Sequence, residues 1–299
     1  MGNYIDLHMH SVYSDDGEFP PAELVRMCRQ AGIRMMAISD HNCVKANEEA
    51  LNEANRLNIQ YVPAIELDCT YRGIDLHLLG YWIDHKGLDF ERVEDNIRKQ
   101  EAEASLERLR RTRMLGLDVT EDELNAISDK GYWKGVWTGE VFAEVLLHKP
   151  QYVDHELLHP YRMGGLRSDN PYVNFYWDFY AQGKPCYVKT MYPSLKDGIS
   201  LIKDNCGKAV LAHPGVNLRN RYDLFDEMVA LGIDGVEAFS SYHDELSAKH
   251  FYAAARKHSL LTACGSDFHG KTKPAIRLGE SGCFVEQREI ERQLFHARK

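Results

Sequence analysis

The chain has 299 residues, with 36 Lys and Arg against 45 Asp and Glu, giving a formal charge of −9. At roughly 150 residues per domain, this length allows one large domain or two ordinary ones, and the acidic balance argues against a generic binder of duplex nucleic acid or of an acidic membrane. No run approaches the roughly 20 apolar residues of a membrane helix, the start MGNYIDLHMH has no signal-peptide pattern, and seven scattered cysteines without CxxC read as reduced thiols of a cytoplasmic protein.

Residues 4–7 predict a short strand, and Pro20-Pro21 opens a helix carrying Leu24, Val25, Met27 and Cys28, closed by Gly32. Residues 35–39 predict a second strand, 44–57 a helix, and 61–65 and 74–82 two more strands. The highly charged stretch 88–116 predicts a long solvated helix burying Leu88, Val93, Ile97, Leu106 and Leu109. Thr120 to Glu123 fits a capping box opening another helix. An aromatic, glycine-rich stretch covers 161–180, and 95–185 reads as a mainly helical insertion between residues 1–94 and 186–299. From residue 195 helices at 195–204, 223–231 and 245–258 alternate with strands at 209–212, 235–239 and 260–263. Strands alternating with helices predict an α/β fold on a mostly parallel sheet of about seven strands, closed or open.

Half of the 14 histidines fall at or just beyond the ends of predicted strands: His8, His10, His41, His77, His213, His243 and His269. Asp6, Asp15, Asp40, Glu66 and Asp267 accompany them. In parallel αβ barrels the loops after the strands converge at one rim, where catalytic groups gather. His8 and His10, two apart on a strand, face one side, and Asp267-Phe268-His269 offers a carboxylate and an imidazole at the same spacing. Mixed nitrogen and oxygen donors of this kind suit zinc, manganese or iron.

In this order, His8-Met9-His10, Ser14-Asp15, Ser39-Asp40-His41, Glu66, His77, Ala212-His213-Pro214 and Gly265 to His269 resemble the PHP family (polymerase and histidinol phosphatase). The resemblance implies a distorted seven-stranded (β/α)7 barrel holding up to three divalent ions, Mn2+, Zn2+ or Fe2+. It further implies that His8, His10, Glu66 and Asp267 hold the first ion, with Glu66 bridging to a second on His77 and His213. Asp15, His41 and His269 would hold the third. Asp15 is preferred over the adjacent Asp16 by its distance from His10, and Asp40 and Asp6 read as groups orienting the histidines, Asp40 being counted with His243 among the catalytic residues.

The resemblance implies a phosphoesterase acting by in-line attack of a metal-bridging hydroxide on a small phosphorylated substrate. That substrate would be a sugar or nucleotide-like ester, including a five-membered cyclic phosphodiester opened and then cleared as the monoester. His243 is the expected general acid for the leaving group, and Lys189, Arg219 and Arg221 the expected substrate contacts. The alternatives are a nucleoside 3′,5′-bisphosphate phosphatase, a short-oligonucleotide exonuclease, or a regulatory metal-binding module without activity. The bisphosphatases usually open an insertion helix with an Arg-Thr pair, whereas this chain reads Val136-Trp137-Thr138-Gly139-Glu140. The aromatics at 172–180 have the helical spacing of a core more than of a stacking wall. Neither a duplex nucleic acid nor a membrane is an expected partner, and no sequence pattern sets the oligomeric state.

Overall fold

The computed structural model describes residues 3–218 and 220–297. The chain opens with β1 (Ile5–Asp6), α1 (Pro21–Gln30), β2 (Met35–Met36), α2 (Ala46–Leu57) and β3 (Gln60–Tyr61), and these strands form a parallel sheet in the order β1-β2-β3. Pro21 starts α1 without losing a needed N–H, and its inner face buries Leu24, Val25 and Cys28. β4 (Ala64–Tyr71) and β5 (Ile74–Tyr81) follow as an antiparallel hairpin. Arg72 and Gly73, both at positive φ (48° and 77°), make the two-residue turn whose twist matches such a pair.

Four helices then intervene: α3 (Leu88–Met114), α4 (Glu121–Ser128), α5 (Gly139–His148) and α6 (Pro171–Phe179). They share a core of their own, including Leu109, Trp137, Phe142, Leu146, Phe175 and Tyr180. The expected capping box is present in full, Thr120 accepting from the Glu123 backbone and Glu123 reaching back to the Thr120 N–H. α3 passes unbroken through residue 95, so the expected insertion boundary falls inside a helix. The remainder is α7 (Leu195–Asp204), β6 (Lys208–Leu211), α8 (Pro214–Asn217), α9 (Phe225–Leu231), β7 (Gly235–Ser240), α10 (Glu245–Lys257), β8 (Leu261–Gly265) and α11 (Gln287–Ala297). Gly232, at φ 100°, ends α9 in the left-handed conformation that a side chain would disfavour.

β4 to β8 form a second sheet in sequence order. Among the described residues the α/β fold has eight strands in two sheets, four of the six strand pairs being parallel, in place of the expected single sheet of about seven strands. β5 runs antiparallel to both β4 and β6, and only β6-β7 and β7-β8 are parallel in this sheet. The expected strand at 61–65 is split between β3 and β4 around Pro63, which has no N–H to give a ladder.

Isolated bridges join the two sheets at two seams. At one, Leu7 N–H donates to Cys264 O at 3.0 Å and Met9 pairs with Phe268; at the other, Glu66 N–H donates to Asp40 O at 3.1 Å and His41 pairs with Glu66. The two seams thus carry the histidine and carboxylate motifs. The main core lies between the second sheet and α7, α9, α10 and α11, with Leu78, Val210, Val236, Phe239 and Phe251 fully buried.

α3 departs from its expected face. Ile97 and Leu109 are buried, but Leu88 and Leu106 are 65% and 56% exposed. Its inner face instead buries Glu94 and Glu101, because that side of the helix borders a polar cavity.

Candidate metal centre

Alternation along the segment after β1 sends His8 and His10 to the same side, where His8 Nε2 and His10 Nε2 face each other at 3.2 Å. Gly265 makes this approach possible: a Cβ there would lie 2.2 Å from the His8 Cβ. Glu66, on β4, reaches into the middle of the group. Its Oε2 lies 3.1 Å from His8 Nε2, 3.2 Å from His10 Nε2 and 3.4 Å from His41 Nδ1. Its Oε1 lies 3.1 Å from both His77 Nδ1 and His213 Nε2. Asp267 Oδ1 closes the other side, 3.2 Å from both His8 Nε2 and His10 Nε2. Asp267 itself holds φ 56°, an uncommon conformation for a non-glycine residue that its loop must impose.

The donor atoms gather into three overlapping groups: His8, Glu66, His213 and Asp267; His41, Glu66 and His77; and His10, Asp16, His41 and His269. The fit to cations can be judged from the unsatisfied atoms. Asp267 Oδ1, His41 Nδ1 and His269 Nε2 are buried without a hydrogen-bond partner among the described residues, although other donor atoms lie close by. Buried polar groups left unpaired are costly, and an imidazole and carboxylate cluster that leaves three of its converging atoms unpaired suits divalent cations. Burial opposes ionisation of Glu66 and Asp267. The histidines around Glu66, and Lys273 with the histidines around Asp267, nevertheless hold both carboxyls well below the usual range.

The surrounding contacts orient this set. Glu237, mid-strand on β7, accepts from His8 Nδ1 at 3.0 Å and from the His213 backbone N–H at 2.8 Å. It therefore fixes the His8 tautomer with Nε2 turned inward and also holds the turn carrying His213. Glu237→Gln is expected to weaken manganese binding about 10–100-fold, measured by titrating the metal-free protein; unchanged affinity would refute this orienting role.

The structure corrects several sequence expectations. Asp16 rather than Asp15 joins the group of His10, His41 and His269, with Oδ2 3.0 Å from His269 Nε2, while Asp15 lines the adjoining pocket. Asp40 and Asp6 do not touch a histidine ring. Asp40 accepts from the Ser11 backbone and hydroxyl, and Asp6 from the His8 N–H, Ser266 and the Gly279 N–H, so the orienting role expected of both would act through the ligand-bearing backbone and not the rings. His77 sits within antiparallel β5, opposite Asp68, and not at a strand end.

His243 is placed against its expected role as the acid. Nδ1 bonds Ala238 O at 2.9 Å and Nε2 accepts from Gly215 N–H at 3.0 Å, leaving no free ring nitrogen, and the residue does not line the pocket beside the cluster. Lys189 is exposed and outside that pocket, and Arg221 is paired with Asp223 at 2.9 Å on the surface. Arg219 lies outside the described residues.

Two groups that sequence reasoning missed stand here. Lys273 is buried, with Nζ 2.6 Å from Asp267 Oδ2 and 5.0 Å from the Tyr242 ring centroid. Asp68 accepts from Asn42 at 2.7 Å and lies 3.3 Å from His77 Nε2. Neither residue belongs to a spaced motif; only the fold brings them in.

The pocket extends from the cluster to the helical segment, where Trp133, Glu140, Tyr176, Trp177 and Tyr180 line it. The 172–180 aromatics thus serve both purposes: Phe175 and Tyr180 are in the helical core, while Tyr176, Trp177 and Tyr180 also face the pocket.

Among known proteins, the chain is similar to the 3′,5′-nucleoside bisphosphate phosphatase of Chromobacterium violaceum, at 28% identity over 89% of this chain and 87% of that protein. It is 25% identical to the phosphoribosyl 1,2-cyclic phosphate 1,2-diphosphodiesterase of Eggerthella lenta, over 89% and 94% of the two chains. Its identity with the 5′-3′ exoribonuclease Rnm of Escherichia coli is 26%, over 92% and 87%. A solved protein from Bifidobacterium adolescentis shares the fold, with a TM-score of 0.79 at 24% identity, covering 98% of this chain and 96% of that one. The profile of the PHP domain matches residues 6–166, more than half of the chain, and on that match this protein belongs to the PHP domain family.

Proposed function

We propose that the protein is a metal-dependent phosphoesterase that hydrolyses a small phosphorylated metabolite. The observation that carries this reading is the set of three overlapping donor groups around Glu66 at the floor of a pocket. Its relatives named as a phosphatase, a phosphodiesterase and an exoribonuclease support it, since all three act on phosphoric esters.

In this reading His8, Glu66, His213 and Asp267 would hold one divalent ion, Glu66 and His77 would contribute to a second, and His10, Asp16 and His269 to a third, with the neutral His41 imidazole, which belongs to both of the last two groups, donating to one of them at a time. When bound, such ions supply an activated water near neutral pH and offset the charge of the phosphoryl oxygens. Glu66 serves two of the groups at once through its two oxygens. Lys273 places a buried positive charge beside Asp267, facing the pocket, where it would meet a phosphoryl oxygen. Ser14 joins His10 Nδ1 at 3.1 Å to Asp16 Oδ1 at 2.9 Å and so locks two of the donors relative to each other. The helical segment shields one side of the pocket with Trp133 and Tyr176, limiting both the size of the substrate and access of bulk water.

The test is phosphate release from a panel comprising a cyclic sugar phosphate, a sugar monophosphate, a nucleoside 3′,5′-bisphosphate and a short oligoribonucleotide, with manganese and after chelation. Metal-dependent release from at least one ester is the expected result. No release from any, at full metal content, would leave a metal-binding module without this activity.

A further inference from the structure

The pocket beyond the donor cluster is lined by more acidic than basic side chains. Its charged wall residues outside the three donor groups are Asp15, Asp68, Asp75, Glu101, Glu140, Arg108 and Lys273. Arg108 is matched by Glu101 at 2.7 Å, and Lys273, 2.6 Å from Asp267 at the cluster, serves the reacting phosphoryl group, so neither is spare for a second anion; each pair is largely buried. Asp75 accepts from the Tyr187 hydroxyl at 2.8 Å and Asp68 from Asn42 at 2.7 Å. Asp15 and Glu140 have no cationic partner within ion-pair distance among the described residues, and burial pushes both carboxyls up, Glu140 to about 7. The distal wall is therefore left with acceptor oxygens, phenolic and indole faces, and no spare positive charge among the described residues. The cavity volume is about 150 Å3, below the roughly 300–1,000 Å3 of pockets that take drug-sized ligands.

From this juxtaposition we infer that the substrate carries a single phosphoryl group on a small, uncharged, hydroxyl-bearing alcohol of sugar size. Its hydroxyls donate to the wall carboxylates while its carbon face rests on the aromatic rings. The inference rests on the phosphoesterase reading and narrows it. A second phosphate would lie among like charges, and like-charge juxtaposition is an effective means of rejecting a wrong ligand. The chain would thus differ in substrate from a relative named for a 3′,5′-bisphosphate, although the residues around Glu66 would do the same work.

The test compares kcat/KM of the manganese-loaded protein on matched pairs: a pentose monophosphate with the corresponding bisphosphate, and a nucleoside 5′-monophosphate with the 3′,5′-bisphosphate. A generic aryl phosphate serves as the common reference. The expected result is a preference of at least about tenfold for the pentose monophosphate over its bisphosphate, and for the pentose over the nucleoside. Glu101→Gln should release Arg108 from its partner and reduce the discrimination against the second phosphate, and Glu140→Gln should do so independently when assayed above pH 7, where the Glu140 carboxyl, pushed up to about 7 by burial, is ionised and its loss removes a wall charge. Equal or better turnover of the bisphosphates, with the aryl phosphate also hydrolysed, would overturn the inference while leaving the phosphoesterase reading intact. Discrimination unmoved in both variants would overturn the electrostatic argument. Failure on every ester including the aryl phosphate would instead overturn the reading beneath it.

Discussion

Glu66→Gln is expected to reduce metal-dependent phosphoester hydrolysis by about a thousandfold or more, equivalent to about 4 kcal/mol of barrier at 1.36 kcal/mol per tenfold. The size follows from position. Glu66 faces five imidazoles, four of them within 3.2 Å of its two oxygens and His41 at 3.4 Å. The substitution keeps the shape but removes the charge and turns one oxygen into a donor. The carboxylate is fully buried, so solvent cannot replace it. Metal content measured alongside should fall by more than one ion per chain, because the residue belongs to two donor groups. Near-wild-type rates and full metal content would show that Glu66 is a packed acid and not a shared ligand.

Asp16→Asn is expected to cost at least about 100-fold in activity, a loss comparable with the upper end of that seen for groups supporting a metal site, and to remove one ion. Its Oδ2 meets His269 Nε2 at 3.0 Å, and its Oδ1 accepts from the Ser14 hydroxyl that also contacts His10. Asp15→Asn should retain the full metal content, since Asp15 belongs to none of the donor groups. Metal analysis of the two variants decides between the neighbours. Loss of an ion in Asp15→Asn with retention in Asp16→Asn would reverse the assignment.

The Asp15 and Asp16 pair shows where sequence reading stops. Regular spacing identifies which motifs share a face, as with His8 and His10, but in an irregular loop two adjacent carboxylates are separated only by the actual backbone path. The ring contacts of His243 are illegible for a related reason. A histidine after a strand looks catalytic until its ring nitrogens are found bonded to Ala238 O and Gly215 N–H. Lys273 could not be found at all from periodicity, since it follows the last motif on an irregular stretch and meets Asp267 only through the fold. The helix boundaries, by contrast, were legible from local chemistry: 195–204 matches α7 residue for residue, and Gly232 ends α9 as expected. The sheet arrangement was less so. Strand direction depends on the Arg72-Gly73 turn, which makes β5 antiparallel, and apolar patterning alone carries no direction. The face of α3 was misread because hydropathy assigns leucines inward, whereas this helix borders a polar pocket with Glu101 paired to Arg108.

The proposed hydrolysis requires ions held by more than one donor group acting together on a phosphoryl ester. Its most direct test is a reconstitution series in which metal-free protein is titrated with manganese, and phosphate release is plotted against ions bound per chain. Release should be negligible in the metal-free protein and approach its full value only after more than one ion is bound. Full activity in the metal-free protein, or at a single bound ion, would contradict it.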